Sequence, residues 1–272
     1  MFFPKKGLRN QKGQALLIIV LVMVVALTVG LSVASRTIIN LRNTQEQASS
    51  QKALSAAEAG VEQAIKTQAH ISVKTFDSGR VSYSTTKTDL GNTSLPFLIA
   101  GKNQVSKNDA VYVWLSPYTS NFNTVWPTSG TANLTIYWGE NSDGCSNAAL
   151  EIAVITGPKS DPKVTRYANE PCGTRQGTNN FNSVSSSVIS PIDGVKLYYK
   201  VDIPISNGLL VRVVPLYTNS YIGVSGNNLP QQGTIYTSTG IASDNNITRK
   251  ITVFQGYPEV PAEFFPYILF QP

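Results

Sequence analysis

The sequence predicts an α+β protein: a long N-terminal helix, transmembrane in its first half and amphipathic in its second, followed by an all-β antiparallel sandwich domain. Three observations predict it. Residues 15–34 are all apolar, Gly, Ser or Thr, and basic residues cluster just before them. Residues 36–65 contain no Pro, have Gly60 as their only Gly, and carry apolar residues mostly three or four apart. Beyond residue 67 the period changes to short runs rich in Val, Ile, Tyr and Thr, separated by Gly, Asn, Ser and Pro.

Composition limits the function classes. The chain has 272 residues, of which 14% are charged, against about 25% in an average domain. Gly, Ser, Thr and Asn fill the gap, as in exported β proteins with many turns. The formal charge of +6 is local: Lys5, Lys6, Arg9 and Lys12 lie in residues 1–13, which hold no acid. Setting those four aside leaves 18 basic against 16 acidic residues. No basic stripe interleaved with aromatics follows, so nucleic acid is not an expected partner.

The elements follow in order. Residues 1–13 read as a leader, 14–36 as the transmembrane half of the helix, 37–68 as its amphipathic half and 69–272 as the exported domain. Twenty helical residues span the roughly 30 Å of a bilayer's hydrocarbon. The basic leader places the N-terminus in the cytoplasm by positive-inside bias. Three readings of this segment stand open. It is a secretory signal cut after Ala34, a plain membrane anchor with a stalk, or a helix that is trimmed and kept. Its length opposes the first, since signal h-regions span about 7–15 residues. In the amphipathic half, Ile38, Leu41, Ala48, Leu54, Ala57, Val61 and Ala64 or Ile65 form the stripe expected to face the folded domain. Gly30, near Ser32, fits a bend or a close helix approach, and equally an ordinary small residue of a span.

Around Gly13 the chain resembles the N-terminal module of type IV pilins and of the pseudopilins of related secretion machines. That module has a basic leader ending in Gly, a cleaved junction, and an apolar segment running into a long helix. KGQALLIIVLVMVVALTVGL followed by ALSAAEAGVEQAI resembles the PilX-type N-terminal region of minor pilins, over roughly residues 5–66. The resemblance implies cleavage between Gly13 and Gln14 by a prepilin peptidase at the cytoplasmic face. It implies that Ala15, Leu16, Leu17, Ile18, Val22, Val25 and Gly30 sit first in the lipid bilayer and then against other pilin subunits. Ala56, Ala57, Glu58, Ala59 and Gly60 are the matching helix motif. The implied function is that of a structural, non-enzymatic minor subunit, located in the cytoplasmic membrane and then at the cell surface or in a pilus. The alternative is a single-pass surface protein whose sandwich binds a glycan or a protein.

Two positions depart from the family pattern. Gln14 stands where many pilins have Phe, and Ile18 where many have Glu. In the family that Glu meets the N-terminal amine of a neighbour. A carboxylate in lipid costs several kcal/mol unless paired, so it acts as a registration device. Its absence fits either a chain outside the family or a minor subunit in a special place such as the tip.

In the exported domain, strands are expected at 71–76, 80–86, 110–116, 132–139, 149–156, 162–168, 195–203, 209–217 and 249–257, with no helix. Lys196, Tyr198 and Lys200 alternate with Val195, Leu197 and Tyr199, which implies one wet and one buried face. Residues 173–191 read as a long, mobile surface loop. Cys145 and Cys172 are disulfide candidates, the ordinary state of two cysteines in an exported chain. The aromatic segment 258–272 reads as a final edge strand or as an exposed docking patch. His70 is the only histidine and falls at the helix–strand junction. No catalytic constellation, metal set or cofactor motif is recognised, and no cofactor is expected.

Overall fold

The computed structural model describes residues 12–187 and 189–258. Helix α1 (Lys12–Thr67) is followed by β1 (Ile71–Phe76), β2 (Val81–Leu90), β3 (Phe97–Leu98), β4 (Val111–Trp114), β5 (Ala132–Trp138), β6 (Ala149–Thr156) and β7 (Lys163–Glu170). Then come α2 (Gly173–Asn179), β8 (Asn182–Ser183), β9 (Tyr199–Ile205), β10 (Gly208–Leu216), β11 (Ile222–Ser225), β12 (Gly233–Ala242) and β13 (Ile247–Gly256). The leader up to residue 11 and the segment 259–272 lie outside the described residues.

The strands form three sheets, ordered β1-β2-β12-β13, β4-β10-β6-β7-β8 and β3-β11-β5-β9. The named pairs are antiparallel apart from the short parallel contact of β7 with β8. Side chains alternate across each strand, so every second residue turns inward. In β6 these are Leu150, Ile152 and Val154, in β10 Val211 and Val213, in β5 Leu134, Ile136 and Trp138, and in β9 Ile203 and Ile205. All belong to one buried cluster shared by the second and third sheets. Each such burial favours folding by roughly 1.5–3 kcal/mol. Leu90, Ile235 and Phe254 carry the end of the first sheet into that core.

The first sheet has a second duty, because α1 lies across it, touching β12, β13 and β2. The described residues of the expected sandwich domain form three sheets, two of them sharing one core and the other partner to the helix. β12 was not foreseen in the sequence. Its TIYTSTGIA run replaces half of the usual apolar alternation with Ser and Gly, because a helix backbone rather than bulky side chains covers that face. Two further corrections concern helix and loop. Residues 173–191 begin with α2, whose Arg175 is pinned to Glu170, rather than forming one long loop. β9 starts at Tyr199 rather than at residue 195, although Leu197 and Tyr199 are buried and Lys196 and Lys200 exposed, as the alternation implied. Lys200 lies on an edge strand, where a charge discourages pairing with another chain.

Candidate functional site

The features that stand out chemically are the two halves of α1. From Leu16 to Ala48 every residue is exposed, a rod of about 50 Å at the helical rise. Leu16, Leu17, Ile18, Val22 and Val25 are 54–69% exposed, with no covering from the rest of the chain. Gly13, Gln14 and Ala15 lie in its first turns. Nothing lies within 4 Å of the place a side chain at Gly30 would occupy, so that point is open to a neighbour. Thr28 Oγ1 donates to the Val25 carbonyl at 2.8 Å and Thr37 Oγ1 to the Val33 carbonyl at 3.0 Å. Both hydroxyls are thus satisfied within the helix, which removes the cost of placing them in hydrocarbon. Among the described residues this is the one helix long and apolar enough to cross a membrane.

The second half is a seam of small residues. Ser49, Ala53, Ala56, Ala57, Gly60, Val61 and Ala64 are buried against the first sheet, on helical spacing. The expected stripe was only half right. Ala57, Val61 and Ala64 are inside and Ile65 is partly covered, but Ile38, Leu41, Ala48 and Leu54 are exposed. The error has a physical source: the large apolar residues were weighted above the small ones, while the sheet selects for small ones. Of the motif, Ala56, Ala57 and Gly60 face the sheet, whereas Glu58 and Ala59 face away.

Two glycines let the layers close. A Cβ on Gly60 would fall on the hydroxyl of Ser238 and within 2.7 Å of that of Thr85. Those two hydroxyls bond each other at 3.0 Å under the helix. Opposite, a Cβ on Gly240 would strike the carbonyl oxygen of Ala53 and come within 2.7 Å of the Ala57 nitrogen. Polar ties flank the seam. Asn245 Nδ2 donates to Ser49 Oγ at 3.1 Å, Arg249 donates to Ser50 Oγ at 2.7 and 2.9 Å, and the Tyr83 hydroxyl donates to Gln63 Oε1. The rod is therefore rigidly continuous with the β body.

The far corner of the body is held by the Cys145–Cys172 disulfide. Beside it, Glu170 is buried and accepts from Arg175, Asn179 and the Cys172 amide, while Arg175 also donates to the Asn147 carbonyl at 2.7 Å. Replacing both cysteines by Ala opens a loop of 27 residues and is expected to cost roughly 3–4 kcal/mol. A thermal melt of the detergent-solubilised protein, read beside its reduced wild type, checks this.

On the outer face of the second sheet Glu151 is buried between Arg166 and Arg212, at 3.5 and 3.7 Å. Burial pushes its carboxyl up from the ordinary value, and the two guanidinium groups pull it back. Among the described residues no three His, Cys, Asp or Glu side chains converge as metal ligands. His70 is exposed at the junction between α1 and β1.

The fold and these sites define a class: an antiparallel β body carried on one long apolar helix of membrane-spanning length. Neither the known protein-family models nor the curated proteins compared with the chain match it.

Proposed function

We propose that the chain is a structural, minor pilin-like subunit, trimmed after Gly13 by a prepilin peptidase and assembled through its apolar helix. The observation that carries this reading is the unbroken α1, exposed and apolar at one end and locked by its small-residue face to the first sheet at the other. The thirteen exposed Leu, Ile and Val side chains from Leu16 to Val33, each worth roughly 1.5–3 kcal/mol on burial, prefer lipid or other helices to water. The same rod is therefore stable in the cytoplasmic membrane, N-terminus inside, and in a bundle with other subunits. Rigid continuity supports assembly over simple tethering, since a tether works with a flexible joint while a packed helix must set the position of the body it carries. Ile18 removes the charge that would register one subunit against the next, which suits a unique place such as a fibre tip. The second reading, a single-pass surface protein that binds a glycan or a protein, draws on the same helix without the assembly step.

The mature N-terminus decides between them. Intact mass of the native protein is expected to begin at Gln14. A start at Met1 supports the plain anchor, and one at Ser35 a secreted domain. Blocking the peptidase should convert a Gln14 start to Met1 and leave the other two unchanged.

A further inference from the structure

The outer face of the second sheet is more deeply buried than the described helices and strands account for. Residues directly opposed in an antiparallel pair share a face, so three rows can be traced across it. Trp114, Leu210, Ile155 and Val164 form the first, Tyr112, Arg212, Ala153 and Arg166 the second, and Val214, Glu151 and Ala168 the third. Leu210 is 1% exposed, Ala153 0%, Val214 4% and Glu151 8%. Side chains stand roughly upright from a sheet, so neighbours in a row shade one another without roofing one another. At the first row the roof is visible: Phe122 and Tyr257 pack against Trp114, Leu210 and Ala153. Over Val214 and Glu151 no described helix or strand is laid, since α1 rests on the first sheet and α2 packs beside β7 and β8.

The chain itself leads to this face. β13 ends at Gly256, and Tyr257 then sits edge-on to Trp114 with ring centres 5.8 Å apart and stacks on Tyr118 at 4.7 Å. Residue 259 therefore begins beside the first row. The other residues outside the described ones are poor candidates for the cover. Residues 1–11 join α1 at Lys12, and Ser49, the first buried residue of the seam, lies 37 positions further on. That is about 55 Å of helix, against a reach of about 36 Å for eleven extended residues. Residue 188 is a single position. The sequence of 259–272, EVPAEFFPYILFQP, fits the face in composition. It carries six large apolar or aromatic residues within 264–270, for which the hydrophobic effect favours a covered place. It carries two acids, Glu259 and Glu263, and no base, while on the face Arg166 and Arg212 bracket the single acid Glu151 at 3.5 and 3.7 Å.

We propose that residues 259–272 form a strap laid by this chain across the outer face of its own second sheet, with their apolar side chains over the Val214–Glu151 row and their two acids on the arginine row. The dimensions agree. Arg212 and Arg166 lie two strands apart, about 10 Å, and Glu259 and Glu263 are about 13 Å apart in an extended chain. Fourteen extended residues reach about 46 Å, enough to cross the four strands of these rows, about 14 Å, and to double back. Pro258, Pro261 and Pro266 lack the N–H that a strand added to a sheet edge must donate. They cost nothing to a segment that lies over side chains instead.

Photo-cross-linking of the detergent-solubilised full chain tests this, with p-benzoylphenylalanine in place of Phe265 and the linked peptides mapped by mass spectrometry. Links to 149–156, 163–170 or 208–216 are expected, at monomer mass and with a yield independent of protein concentration. Glu259→Lys with Glu263→Lys should lower that yield at least threefold, whereas Asp244→Lys, on the β12–β13 turn, should leave it unchanged. A chain ending at Pro258 should melt at least 5 °C below wild type. Links to α1 or to the first or third sheet, links found only at dimer mass, no links, a yield indifferent to the double charge reversal, or a shortened chain that melts with wild type each overturns the proposal. The inference does not rest on pilus assembly, since the mature N-terminus reports on that separately.

Discussion

Gly240→Val is expected to lower stability by about 3 kcal/mol, the upper end of what overpacking a tight core site usually costs. For a chain of this size that is a fall in Tm of roughly 6–12 °C. The position lies mid-strand in β12, where Val gains at most about 1 kcal/mol of strand preference. Against that gain stands backbone on the far side: the Ala53 carbonyl oxygen and the Ala57 nitrogen occupy the space of the new side chain. Neither can rotate away, so α1 must lift from the sheet. Lifting uncovers Ala56, Ala64 and Tyr236 together, and it separates Thr85 and Ser238 from the helix that covers them. Gly60→Ala is the control. Its collisions are with side chains, the hydroxyls of Ser238 and Thr85 and the edge of the Tyr83 ring at 2.8 Å, rather than with backbone, and Ala in a helix interior recovers about 1 kcal/mol relative to Gly. It should cost far less, and Ser238→Ala should relieve part of what remains. Thermal melts of the three variants in detergent check the order. If Gly240→Val melts with wild type, the helix is not seated where the seam places it.

That seam also shows where the sequence was legible and where it was not. The rod was readable because lipid solubility is a property of composition, and twenty uncharged residues admit few other readings. The strands of the second and third sheets were readable because bulky residues such as Leu150, Ile152 and Val154 alternate against a common core. The seam was hidden because it is built from absent atoms. Ala53, Gly60 and Gly240 matter for how near they let two backbones come, and a search for large apolar residues passes over them. The same blindness concealed β12. The disulfide was legible from chain context, yet the buried Glu170–Arg175 pair beside it was not, since nothing in their spacing of five marks them as partners.

Gly13 is the position where substitution should act most completely. Replacing it with Val is expected to leave essentially all of the protein as precursor, with an intact mass starting at Met1 and no Gln14 N-terminus. The proposed junction lies within α1 (Lys12–Thr67). A peptidase cutting there must draw that bond out of the helix and into an extended path. Gly lowers the cost, being about 1 kcal/mol poorer than Ala in a helix, and it presents no side chain to a site that must close on the backbone. Val blocks that approach with a branched side chain while leaving the apolar rod intact, so membrane insertion should persist. The expected pattern is thus membrane-embedded precursor with no subunit in fibres, read by fractionation and mass spectrometry of the same cells. Processing that continues undiminished in Gly13→Val would place the cut elsewhere and remove the ground for assembly through a freed helix end.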